Sequence, residues 1–174
     1  MSPSYRKRPE PFKWSTHFST SPLTEADLEN LERSGISREI ASAALRRVDS
    51  LTGAQIVGRS NSADYAGILI PNLWPGTDYV RENRLRRDHP EIENGKPKNK
   101  YLSPPGRGNM LYFVPWTAVE WLSDKTIPII LTEGEKKCLA LWELAWARCW
   151  RRRGSAALAP NSNQRRVELA RENR

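Results

Sequence analysis

Apolar positions along this chain follow two rhythms, helical at first and strand-like beyond about residue 66. From Thr24 onward, Leu28, Leu31 and Ile36 form an apolar trail broken by Ser34-Gly35, and Thr24 with Asp27 has the spacing of a capping box, which predicts a helix start. A second helix is predicted from Ser37, whose hydroxyl can cap it, through Ile40, Ala41, Ala44, Leu45 and Val48. Two short helices about a Gly turn also fit a helix-turn-helix DNA reader offering Arg38, Arg46 and Arg47. The acidic first helix, with Glu25, Asp27, Glu29 and Glu32, argues against docking on phosphates, so a hairpin packed on the main domain is expected.

Past Ala66, Ile68-Leu69-Ile70 is a short apolar run ended by Pro71. Trp74-Pro75-Gly76 marks a turn, and 79–87 is an Arg-rich stretch. Together they predict a β-hairpin with a charged second strand. Gly95-Lys96-Pro97-Lys98-Asn99-Lys100 reads as a basic loop, 110–114 as a short apolar strand and 117–123 as a helix. Then 127–131, Ile-Pro-Ile-Ile-Leu, is an apolar run of strand length that stops at Thr132-Glu133-Gly134. Glu135 opens a long amphipathic helix reaching residue 153, with Leu139, Trp142, Trp146 and Trp150 on one face. Strand, tight turn and helix make the start of a βαβ unit, so the expected class is α/β with part of a parallel sheet. The expected division is a disordered lead-in over 1–22, a helical hairpin over 23–50, an α/β domain over 51–153 and a basic flexible tail over 154–174.

Charge sharpens this picture. The net charge is +8 over 174 residues, and it is unevenly placed. Residues 79–107 hold eight basic and four acidic side chains, and 148–174 hold eight and two. Such a distribution favours a polyanion such as nucleic acid, though an anionic membrane surface would also answer it. No apolar run reaches the length of a membrane span and the polar, basic start lacks a signal-like apolar segment, so a cytoplasmic location with no membrane partner is expected. Cys138 and Cys149 lie about three helical turns apart and cannot pair, and His17 and His89 stand outside any zinc-ligand spacing.

Chemistry concentrates at the turn into the last helix. In open α/β sheets ligands gather at the carboxyl ends of strands, where Glu133 is expected. A carboxylate there can hold a divalent cation or move a proton, Gly134 leaves room for a phosphate or metal, and Glu135 opens the helix. Lys136 and Lys137 in the first turn are disfavoured by the helix dipole, which hints at an anionic ligand. Read alone, Glu-Gly-Glu at such a turn is more often capping than catalysis.

The segment Ile129-Ile130-Leu131-Thr132-Glu133-Gly134-Glu135-Lys136-Lys137 resembles the first motif of the Toprim fold, shared by primases, topoisomerases and related nucleases. It is most similar to the Toprim-like domain family of unknown function in primase-like proteins of bacteria, phages and plasmids, where a strand ends in Glu-Gly-Glu-Lys-Lys. Upstream, Ile68-Leu69-Ile70-Pro71, the Arg-rich strand, Lys98-Asn99-Lys100-Tyr101-Leu102-Ser103-Pro104 and Leu111-Tyr112-Phe113 resemble, in order, the segment preceding Toprim in bacterial replicative primases. The resemblance implies a Toprim-like α/β fold and a catalytic site at Glu133, Gly134 and Glu135, with Glu133 as acid/base or Mg²⁺ ligand. It also implies that Arg84, Arg86, Arg87, Lys98 and Lys100 line a path for single-stranded DNA or RNA, with Tyr101 and Tyr112 stacking on bases. A helicase or other replication protein is the implied partner. Toprim chemistry also uses a later Asp-x-Asp, but the last Asp here is Asp124, ahead of Glu133. The expectation is therefore a partial, truncated or split Toprim-like unit that does not polymerise nucleotides unaided. A divergent Mg²⁺-dependent phosphotransferase or nuclease, and a non-enzymatic DNA-binding accessory protein, are the alternatives.

Overall fold

The structure, a computed structural model, describes residues 18–60, 62–106 and 110–153, with side chains described to residue 145. Most of the lead-in, the tail, and the side chains of Trp146, Cys149 and Trp150 lie outside that description.

Helix α1 (Glu25–Glu32) starts on its capping box. Thr24 Oγ1 accepts from the Asp27 amide at 3.2 Å, and the Asp27 carboxylate accepts from the Thr24 amide at 2.9 Å. Gly35, at φ +78°, reverses the chain, and the Ile36 amide donates to the Leu31 carbonyl. Helix α2 (Arg38–Ala44) follows from its Ser37 cap. It stops short of Val48, the predicted end, because residues 46–48 join a sheet instead. Strand β1 (Arg46–Val48) pairs antiparallel with Gly67 to Leu69. Leu45 and Val48 suit either periodicity, and the amides and carbonyls along the neighbouring strand decide between them. Asp49 then caps α3 (Ser50–Ile56), accepting from the Thr52 amide at 2.7 Å, a helix that the apolar periodicity does not announce.

The predicted hairpin forms from β2 (Gly67–Leu73) and β3 (Val80–Arg87). Pro71 is tolerated within β2 because β1 reaches only from Gly67 to Leu69 and asks no ladder bond of it. One irregularity interrupts the pairing. Asn72 faces Glu82 but Leu73 faces Val80, so Arg81 is an extra residue on β3, a β-bulge. The stretch expected as a basic loop is a ribbon of β4 (Glu91–Glu93) and β5 (Lys96–Lys98), turned by Asn94-Gly95. Both turn residues have positive φ, 51° and 73°, as a type I′ hairpin turn requires. Strand β6 (Tyr101–Leu102) returns beside β3, completing an antiparallel sheet of order β1-β2-β3-β6.

Side-chain alternation gives this sheet two covered faces. Ile68 and Ile70 pack with Leu31, Ile36, Ile40, Ala44, Val114 and Leu139, under α1, α2 and the last helix, α4 (Glu135–Arg153). Leu69 and Leu85 pack the other way, with Val48, Ala54, Ile56, Val57 and Tyr65 around α3. Gly67 is obligatory in this arrangement, since a Cβ there would stand 2.1 Å from the Arg86 carbonyl oxygen. The Ser37 hydroxyl also donates to Glu143 of α4 at 2.7 Å, tying the helical hairpin to the last helix.

The fold is thus mixed α/β, but two predicted strands do not form. Residues 110–114 and 127–131 are irregular, and Ile129, Ile130 and Leu131 are 66%, 63% and 78% exposed. No parallel strand leads into α4 among the described residues. An apolar run becomes a strand only beside a free edge. Pro128 also withholds one ladder donor. The helix predicted over 117–123 is a single 3₁₀ turn at Val119–Leu122. No helix among the described residues is long and apolar enough to cross a membrane.

Candidate nucleic-acid interface

Register places the arginines of β3 before any side chain is considered. Arg84 lies opposite Ile70 and Arg86 opposite Ile68, so both project to the face covered by α4. Tyr101 of β6 lies opposite Arg86 and joins the same face. Arg87 alternates to the other side. There it is 2% exposed, donates to the Asp64 carbonyl and to Glu91, and lies over Tyr65, so it is a clamp within the fold and not part of an open surface.

The first turn of α4 meets this face. Gly134 reaches φ +78° to bring the chain into the helix, and a Cβ there would meet nothing within 4 Å, so its dihedral and not its space calls for glycine. Glu135, 8% exposed, accepts from Arg84 at 2.5 Å, and the Arg84 guanidinium sits 5.2 Å from the Tyr101 ring centroid. Lys136 donates to the Ser34 hydroxyl at 2.9 Å. Burial, and then the positive charges of Arg86 and Lys100, hold its ammonium below the usual lysine range. Among the described residues, none of Arg86, Lys100 and Lys136 has a carboxylate in ion-pair reach. Lys136 thus lies in electrostatic reach of two further cations, and Glu135, the carboxylate in the first turn of α4, is taken up by Arg84.

Other expected site residues fall elsewhere. Glu133 is not at the mouth of a buried strand. Its side chain is 90% exposed and paired with Lys137 at 2.8 Å, whose hydrogen bond holds the carboxyl below its ordinary range. Lys98 is paired with Glu93 on the β4–β5 ribbon. Tyr112 does not stack outward, because it packs against the core with its hydroxyl enclosed and unpartnered, and burial pushes its pKa up. Around Glu133 the donor set is one carboxylate beside one ammonium, which does not suit Mg²⁺. No group of three or more His, Cys, Asp and Glu is placed to hold a metal among the described residues.

Residues outside the sequence reading also contribute. Ser34, in the turn after α1, orients Lys136 from 102 positions away. Arg81 is brought round by the bulge, which simple alternation along β3 cannot reveal. Comparison with protein-family models, curated proteins and solved structures finds no match.

Proposed function

We propose that this chain binds single-stranded nucleic acid through the backbone phosphates, as the resemblance to primase-like Toprim proteins implies, on the surface where β3 and β6 meet the start of α4. One observation carries the reading: Arg86 projects to the sheet face that α4 covers, Lys136 is held in the first turn of α4 by Ser34 with Arg86 and Lys100 in electrostatic reach, and no carboxylate among the described residues pairs with any of the three. Such convergence of like charge raises the energy of the free protein and is relieved when an anion enters. Arg84 stands beside them, held by Glu135 and spread over Tyr101, which leaves an aromatic edge within the cationic surface. The reading is of a binding module of the replication type, and no reaction step is assigned to Glu133 or to Mg²⁺.

Fluorescence anisotropy with a labelled oligothymidylate over a series of salt concentrations tests it. Three phosphate contacts predict a slope of log affinity against log salt of about −2, at roughly 0.7 per contact for a single strand. Lys136→Ala with Lys100→Ala should weaken binding and flatten that slope. Affinity indifferent to salt, or a slope unchanged by both substitutions, overturns the proposal.

A further inference from the structure

We propose that Trp74 and Arg81 form a base-stacking subsite continuous with the cation cluster, so that a single strand runs along β3 with its phosphates at Arg86, Lys100 and Lys136 and one base on the Trp74 indole. The inference rests on the nucleic-acid reading above and adds to it a second contact of different chemistry.

The bulge makes this arrangement possible. Regular alternation would send Arg81 to the side of Leu85 and Arg87, against α3. As the extra residue opposite Asn72, Arg81 instead reaches the Asn72 side-chain oxygen at 2.6 Å and the Leu111 carbonyl at 2.8 Å. Asn72 follows Ile68 and Ile70 on β2 at two-residue spacing, so the guanidinium lies toward the face that carries Arg84 and Arg86. From the Asn72–Glu82 pair to the Ile68–Arg86 pair is roughly 13 Å along the strands, room for more than one phosphate.

Arg81 is held yet unneutralised. Both of its described hydrogen bonds go to neutral oxygens, its Nε is enclosed without a partner, and no carboxylate pairs with it among the described residues. Its guanidinium lies 4.4 Å from the Trp74 ring centroid, while Trp74 remains 53% exposed. The cation thus steadies one side of the indole and leaves ring surface open. Tyr79, Leu111 and Val119 are each more than half exposed at the same corner. The Trp74 amide donates to the Tyr79 carbonyl, Arg81 to Leu111, and Gly76 abuts Val119. An aromatic plane beside an unpaired guanidinium, opening onto a row of cations, suits a nucleobase attached to a phosphate chain better than an apolar protein segment. Among the described residues, Arg81, Arg84 and Arg86 of β3 lie toward this face together with Glu82, one oxygen of which is enclosed without a partner, and Glu135, which is paired with Arg84.

The test compares the full chain with Trp74→Leu and Trp74→Phe on labelled oligothymidylate, oligouridylate and an abasic oligomer of equal length, about 12 nucleotides. Trp74→Leu should weaken binding to the base-bearing oligomers by roughly 5- to 150-fold, leaving the salt slope unchanged. Trp74→Phe should recover much of that loss, and the abasic oligomer should bind all three proteins alike. The unmodified protein should also prefer the base-bearing oligomers to the abasic one, a comparison independent of any substitution. A difference between thymidylate and uridylate would assign the strand to DNA or RNA, with stacking retained in either. Equal affinity of the parent and Trp74→Leu for base-bearing oligomers, with the salt slope intact, overturns the stacking subsite alone. Loss of the salt slope in the parent overturns the phosphate reading and this inference together, as does a Trp74-dependent affinity confined to protein partners.

Discussion

The ion pair between Arg84 and Glu135 joins the sheet to α4, and removing it from one side should cost more than removing both partners. Glu135 is 8% exposed, whereas the Arg84 side chain keeps 41% of its surface. Breaking a buried pair from one side costs about 3–5 kcal/mol, and a surface pair contributes about 0–1 kcal/mol. With one partner buried and the other half open to water, Arg84→Ala should destabilise by roughly 2 kcal/mol, mostly from leaving an enclosed carboxylate without its donor. Glu135→Ala should cost less, because Arg84 can turn to solvent and Tyr101. The double variant should therefore be about as stable as Glu135→Ala, giving a coupling of roughly 1–2 kcal/mol. Urea denaturation followed by circular dichroism reads this as a midpoint shift near ~1 M for Arg84→Ala, taking a typical dependence of about 2 kcal/mol per molar urea. Single losses that add within about 0.5 kcal/mol would mean the pair carries no coupling and that α4 is not held to the sheet by it.

Acid should act through Asp27. Burial alone would raise its carboxyl, but hydrogen bonds from Thr24 and Arg47 outweigh burial and hold it below 3.8. Its contribution is then present above pH 3.8 and lost as pH falls through the lower folded value, so Asp27→Asn should flatten the acid limb of a stability–pH curve. Lys136 works in the opposite sense at the alkaline end. Its folded pKa lies below 10.5, so the unfolded chain binds the proton more tightly and stability should rise with pH across that interval. Lys136→Met should remove that rise, and thermal unfolding at pH 7 should show it no less stable than the parent. Gly67→Ala should destabilise by about 1–3 kcal/mol, since its Cβ would meet the Arg86 carbonyl at 2.1 Å and backbone must move; an unchanged melting temperature would refute that packing.

What could be read along the chain was local. The Thr24 and Ser37 caps, the 67–87 hairpin and the entry to α4 at Gly134-Glu135 each depend on groups within a few residues, and all appear where the pattern places them. The cationic character of 79–107 was equally plain, but which of its side chains act together was not. Arg84, Arg86 and Arg87 look alike in sequence, and strand alternation divides them between the partly exposed face beside α4 and a buried clamp. Glu133 would stand at a strand end only if 127–131 formed a strand, and that run lies exposed and outside the sheet.

By itself, then, the sequence determined where α1, α2 and α4 begin, where the 67–87 hairpin turns and where positive charge collects, because caps, turns and net charge are set by neighbours along the chain. Only the tertiary structure decided that 46–48 is a strand, that Arg81 is turned by a bulge, and that Lys136 of α4 comes within electrostatic reach of Arg86 and Lys100. Those outcomes depend on which edge a segment meets and on contacts such as Arg84 with Glu135, 51 positions apart, and Ser34 with Lys136, 102 apart. Hydrophobic rhythm records that a residue prefers cover, and the packed fold alone determines what covers it.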